Sequence, residues 1–253
     1  MAVFSRIAPS LVSAYGLQTL LALIFVPQQN EMYYDLGGAL GYLSTTFVSL
    51  YYPALKAKYI DGVPGPLPSL SSFSARQLLL SGAVGLWSSR LGMFLVLRAL
   101  KAGGDRRFDA IKKNPKLFFF VWMMQATWIS VVGMPAFLTN TLPADLHPAL
   151  TRRDYAAAVL FAVSFLVEVI ADRQKSAWRA AKDAGKHAEK FISSGLWSIS
   201  RHPNYVGEVG IWTALWALST GSLNTPHFPR GTVALAALSP IFTWYLTAKV
   251  RGP

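Results

Sequence analysis

The residues of this sequence that can do chemistry fall in two short stretches. The first is an apolar segment carrying Glu168 and Asp172, followed by Lys175 and Arg179. Spacings of 4, 3 and 4 put these four side chains within about 60° of one another on a helix. Lys182 and Lys186 extend the same line. One helix face would then run from two acids at membrane depth to a ladder of cations in water. Cations hold phosphates; carboxylates accept hydrogen bonds from ribose or amide groups. The pattern therefore points to an anionic cofactor. A juxtamembrane helix meeting anionic headgroups accounts for the ladder equally well. It does not account for Glu168 and Asp172, because an acid at membrane depth costs a few kcal/mol and persists where it has a partner or a task.

The second stretch is Gly195-Leu-Trp-Ser-Ile-Ser-Arg-His-Pro-Asn-Tyr-Val-Gly-Glu208. Pro203 suits the first turn of a helix, where its missing N–H costs nothing. The free amides of that turn, beside Arg201 and His202, form an anion-binding arrangement. Asn204, Glu208 and Trp212 share a face of the predicted helix, with Tyr205 next to Glu208, and Gly207 admits a close neighbour. An interfacial helix start explains Arg201, Pro203 and Tyr205, but not an Asn and a Glu turned together into lipid depth.

Other polar residues stand inside apolar segments. Arg90 is deep enough to need an acid, and Glu208 is a candidate partner. Arg98, on the face of Arg90 and Phe94, reads as a snorkelling side chain. Gln125 is either helix–helix glue or a substrate contact. Asp105-Arg106-Arg107-Phe108 is either a surface turn or a lid, and His147 reads as an ordinary loop histidine. There is no cysteine, no HExxH, no Walker pattern and no GxGxxG. No metal site and no soluble nucleotide fold is expected.

The elements that must position these residues follow from composition. Of the 253 residues, 53% are hydrophobic and 14% charged, yet the net charge is +12. With 8 Trp, 10 Tyr and 15 Phe, disorder is excluded. The basic residues sit between long apolar blocks, which argues against a nucleic-acid binder. What remains is a polytopic membrane protein, an all-α bundle of about seven spans: Pro9–Val26, Leu36–Leu55, Gln77–Leu100, Leu117–Asn140, Tyr155–Asp172, Tyr205–Ser222 and Gly231–Ala248. The first reads as a retained helix rather than a cleaved signal. Lys101 to Lys116, Arg173 to Arg201, and Lys249 with Arg251 place 15 basic residues on one side, against 7 on the other. The positive-inside rule then puts the C-terminus in the cytoplasm and the N-terminus outside or in the lumen. A Pro/Gly/Ser-rich linker, residues 61–76, separates a two-helix section (1–60) from a five-helix region (77–253) within one integrated membrane domain.

Gly195-Leu196-Trp197, Ser200 to Tyr205, and Gly207-Glu208 together resemble the C-terminal domain of the steroid 5-alpha-reductase superfamily, in its largely uncharacterised seven-span branch. Ala171-Asp172-Arg173-Gln174-Lys175 with Arg179, Arg90-Leu91 and Asp105 to Phe108 match earlier parts of the signature. The resemblance runs from about Gln77 to the C-terminus; the chain ends at Pro253, short of the family's usual tail. It implies a cytoplasm-facing NADPH pocket contacted by Asp172, Arg179, Asn204, Tyr205 and Glu208, joined by Lys175, Arg201 and His202, with Glu168 deeper. It also implies reduction of a carbon–carbon double bond in a sterol-like or other lipid, in the endoplasmic reticulum membrane in a eukaryote. Such chemistry needs a group that polarises a conjugated carbonyl, and Tyr205 and Glu208 are the catalytic candidates. Arg90 and Gln125 are the candidate substrate contacts. Isoprenylcysteine carboxyl methyltransferases carry a similar Arg-His-Pro-x-Tyr-x-Gly stretch, so an S-adenosylmethionine-dependent methyltransferase is the alternative. A non-catalytic lipid binder on the same fold is the second.

Overall fold

The structure is a computed structural model that describes residues 3–249. Arg251, counted above among the C-terminal cations, and the side chain of Arg106 lie outside the described residues. Among these residues the chain is helical, with no strand: α1 (Val3–Phe25), α2 (Tyr34–Tyr59), α3 (Ala75–Ala102), α4 (Pro115–Val132), α5 (Met134–Asn140), α6 (Arg152–Asp183), α7 (Pro203–Leu223), α8 (Thr232–Ala236) and α9 (Leu238–Lys249). Four of them, α1, α3, α4 and α6, are long and apolar enough to cross a membrane.

Two of the expected continuous segments are broken, and proline is the reason both times. Leu117–Asn140 divides at Gly133 into α4 and α5. Pro135 has no N–H for the carbonyl four residues back, and its ring crowds that carbonyl. The last segment divides at Ala237 into α8 and α9, three residues before Pro240. The starts obey local chemistry. Ser74 and Gln77 form a capping box at α3, and Thr151 and Asp154 form another at α6. Pro203 opens α7.

Hydrophobic clusters define the bundle and its two ends. The central cluster packs Tyr42, Leu80, Trp87, Ile129, Phe137, Ile211 and Trp212 from α2, α3, α4, α5 and α7. At one end Ile7, Leu142, Leu223 and Phe228 meet. At the other, Ala22, Val26, Phe108, Phe118 and Trp122 meet. Successive helical runs thus alternate in direction, and the two described chain ends lie at opposite ends of the bundle. The most extensive helix contact is that of α6 with α7. Gly207 makes it possible: a Cβ there would lie 2.8 Å from the Ser164 carbonyl oxygen and 2.9 Å from the Glu168 amide nitrogen.

A buried polar clasp closes the end away from Phe108 and Phe118. Arg76, 1% exposed, donates to Asp154 (2.8 Å), to the Pro148 carbonyl (2.8 Å) and to Ser222 Oγ (3.3 Å). His147 bridges Ser222 Oγ (2.7 Å) and the Leu142 carbonyl (3.1 Å). That carbonyl can only accept, so His147 Nε2 carries the proton and Nδ1 accepts from Ser222. Burial holds this imidazole below its ordinary pKa, and Arg76 adds to the effect.

Candidate functional site

At the Phe108 end, α3, α6, α7 and α9 enclose a cavity of about 1020 Å³. This is the upper end of the roughly 300–1,000 Å³ range of small-molecule pockets. Seven of the residues singled out in the sequence line it: Glu168, Asp172, Lys175, Arg179, Asn204, Tyr205 and Glu208. The helical spacing of α6 and the Gly207 approach of α7 bring the two stretches to one wall.

The inner end is acidic and tightly bonded. Arg90 reaches from α3 to both acids of α6, with Nη1 2.6 Å from Glu168 and Nη2 2.5 Å from Asp172. The expected Arg90–Glu208 pair is therefore not formed. Glu208 instead accepts from two indoles, Trp212 Nε1 (3.0 Å), one turn along α7, and Trp87 Nε1 (3.3 Å) of α3. The rings of Trp87 and Trp212 meet edge to face at 4.9 Å, with Tyr42 packed against both. Two buried oxygens have no hydrogen-bond partner although their residues line the cavity: Glu168 Oε2 and Asn204 Oδ1. Each is an acceptor awaiting a donor. Leaving such an atom unpaired costs roughly 1–3 kcal/mol.

The outer part is cationic. Lys175, seated over the ring of Trp197 at 4.6 Å, stands on one wall with Arg173 and Arg179. Trp197 is fixed in turn by its bond to the Ala171 carbonyl (3.0 Å). Arg98, Lys101 and Arg107 face them from α3 and the α3–α4 connection. Arg98, an exposed side chain, is thus a lining residue. Its position eight residues after Arg90 was the available signal, since that spacing keeps both on one helix face. Asp35, at the start of α2, also lines the cavity and carried no signal beyond being an acid beside a span.

Other expected residues lie elsewhere. Arg201 is exposed and does not line the cavity. His202 caps the α7 start and stacks on Tyr205 at 4.9 Å. Burial keeps its pKa below the ordinary value, reinforced by Lys175 and Arg201. Lys182 covers the ring of Trp178. Lys186 does not continue the ladder, because α6 ends at Asp183 and Gly185 turns the chain with φ +71°. Gln125 is held between helices, donating to Gln18 Oε1 and to the Tyr34 carbonyl, both at 3.0 Å. It borders a side cleft of about 50 Å³ that shares Asp35, Leu91, Leu95 and Trp128 with the main cavity. No group of acids and histidines suited to a metal ion occurs among the described residues.

Residues 67–252 match a family model described as "Protein of unknown function (DUF1295)". The chain belongs to this DUF1295 family. The matched region contains α3 to α9 and every lining residue named above except Asp35. No curated protein and no solved structure matches the chain. The DUF1295 assignment thus identifies the part of the chain that builds the cavity.

Proposed function

We propose that this DUF1295 protein is a membrane-embedded, NADPH-dependent reductase of a carbon–carbon double bond in a sterol-like or other lipid, the activity implied by its resemblance to the steroid 5-alpha-reductase superfamily. The observation that carries the reading is the polarity gradient of the cavity. Six cations, together with Asp35 and Asp183, line its outer part, and three carboxylates and an asparagine line its inner end. A dinucleotide with an additional phosphate needs this division. Lys175 and Arg179, opposed by Arg98, Lys101 and Arg107, would hold its phosphates. The unpaired Glu168 Oε2 and Asn204 Oδ1 match the hydroxyl and carboxamide donors of its sugar and base.

When bound, the reduced nicotinamide supplies a hydride. The chain's own part is to orient and to polarise. Arg90 fixes the acids of α6, the paired indoles fix Glu208, and Tyr205 Oη can donate a hydrogen bond to a substrate carbonyl as charge builds on its oxygen. Leu91, Phe94 and Leu95 on α3 offer apolar surface for the lipid body. In this reading all seven helical runs cross the bilayer, with the N-terminus outside or lumenal. The cavity and the 15 basic residues of the richer side then face the cytoplasm; in a eukaryote the membrane is that of the endoplasmic reticulum.

Calorimetry on the purified protein in detergent tests the reading. NADPH should bind and S-adenosylmethionine should not, since the latter has no phosphate for the six cations. Binding of S-adenosylmethionine alone would replace the reductase by a methyltransferase. Binding of neither would leave a lipid-binding protein.

A further inference from the structure

One of the six cations of the mouth, Arg107, rests on a residue that is not part of it. Arg107 lies in the α3–α4 connection and is two-thirds exposed, open to a ligand. It sits in a single 3-10 turn, Arg106–Phe108, outside the long helices. Its backbone amide and its Nε donate to the Asp105 carboxylate, at 3.0 Å and 2.8 Å, and its Nη2 completes a fork on the same group. This bonding holds the Asp105 carboxyl below its usual pKa. Asp105 is placed in turn by Glu31, which accepts its backbone N–H at 3.3 Å.

Glu31 belongs to the α1–α2 connection and is 8% exposed. Both of its oxygens also accept from Lys112 Nζ, at 3.0 Å and 3.1 Å. Gly104 makes the approach possible. Its φ is +129°, and a Cβ there would lie 2.7 Å from Glu31 Oε1. Phe108, packed on Tyr34 at 4.9 Å, pins the far side of Arg107. One buried carboxylate thus ties two connections together on either side of the arginine.

We propose that Glu31 is a positioning residue for Arg107, and that it thereby sets the affinity of the cavity for a polyanion such as a phosphorylated dinucleotide. The inference deepens the reading above and rests on it for the identity of the ligand. Glu31 touches no ligand; it fixes the backbone from which Arg107 is presented. A pre-placed guanidinium binds phosphate without first losing the freedom of a twelve-residue connection. The chain thus commits the Glu31–Lys112 pair, outside the cavity lining, to the geometry of its rim.

A double-mutant cycle separates this role from a general structural one. NADPH and inorganic pyrophosphate are the probes, titrated by calorimetry against wild type, Glu31→Gln, Arg107→Ala and the double variant. Glu31→Gln should weaken both probes about 5–10-fold, and Arg107→Ala should weaken them at least as much. In the Arg107→Ala background Glu31→Gln should add less than about 2-fold. Asp109→Ala, which removes only an exposed second partner of Lys112 at 3.3 Å, should leave affinity unchanged. Additive losses in the cycle, or a Glu31→Gln protein that binds both probes as wild type does, overturn the proposal. Pyrophosphate binding without NADPH binding overturns the dinucleotide reading while leaving the cycle interpretable. If Glu31→Gln fails to fold, Gly104→Ala supplies the same displacement from the other side, and its cycle with Arg107→Ala decides.

Discussion

At the residue scale, the decisive pattern is one arginine between two carboxylates. Glu168 and Asp172 are almost fully buried, with side chains 3% and 8% exposed, and Arg90 is the cation that pairs with both. Replacing Arg90 with Leu would strand both charges, at a cost of about 3–5 kcal/mol. The triple variant with Glu168→Gln and Asp172→Asn should recover most of that loss; thermal denaturation in detergent measures both. Arg179 supports a different expectation. If it reads the additional phosphate, Arg179→Ala should weaken NADPH at least tenfold and NADH far less, compared by calorimetry. Equal weakening would remove it from that role. Sequence spacing alone brought Glu168, Asp172, Lys175 and Arg179 together, because all four share one helix. It could not choose the acid for Arg90, because that choice depends on how far α3 is turned relative to α6.

At the element scale, α6 and α7 act as one unit. Gly207 and Gly210 both face Ser164, and a Cβ at either would strike it. Gly207→Ala should therefore destabilise by about 1–3 kcal/mol through overpacking, despite alanine's better helix propensity. It should also lower cofactor affinity, because Asn204 and Glu208 ride on the displaced helix. A variant that is more stable than wild type would show that the pair has room to spare. The start of α7 was legible from Pro203. The breaks at Gly133 and Ala237 were not, since apolar periodicity runs through Pro135 and Pro240 and hides what their rings do to the backbone. Nor could spacing reveal the end of α6 at Asp183, which a left-handed glycine imposes.

At the scale of the whole molecule, the two ends differ in chemistry. The cavity end is held by charges around a space. The other end is closed by Arg76, Asp154, Ser222 and His147, which tie α3, α6 and α7 to the connection between α5 and α6. The neutral form of His147 is the one that fits, since protonation would make Nδ1 a donor to Ser222 and put a second cation beside Arg76. Its pKa is lowered, so the unfolded chain takes up the proton first. Stability from this group is complete above its unfolded value of about 6.5 and is lost as pH falls below it. Wild type should lose more melting temperature than His147→Gln between about pH 7.5 and 5.5. Parallel curves would show that the clasp does not titrate. Composition announced a helical chain with helices long and apolar enough to cross a membrane. The clasp was invisible, because its four members are spread from position 76 to position 222.

The indoles that steady Glu208 have a consequence of their own. Trp128 lines the cavity, Trp87 and Trp212 stand directly behind it, and Trp197 lies under Lys175. Three of the chain's 8 tryptophans thus border the inner end, where in the proposed reading a reduced nicotinamide, which absorbs the light that indoles emit, would rest. On that proposal the protein would carry a built-in optical gauge of its own occupancy. Its intrinsic emission should dim as the cavity fills, and it should recover when a colourless competitor takes the same space.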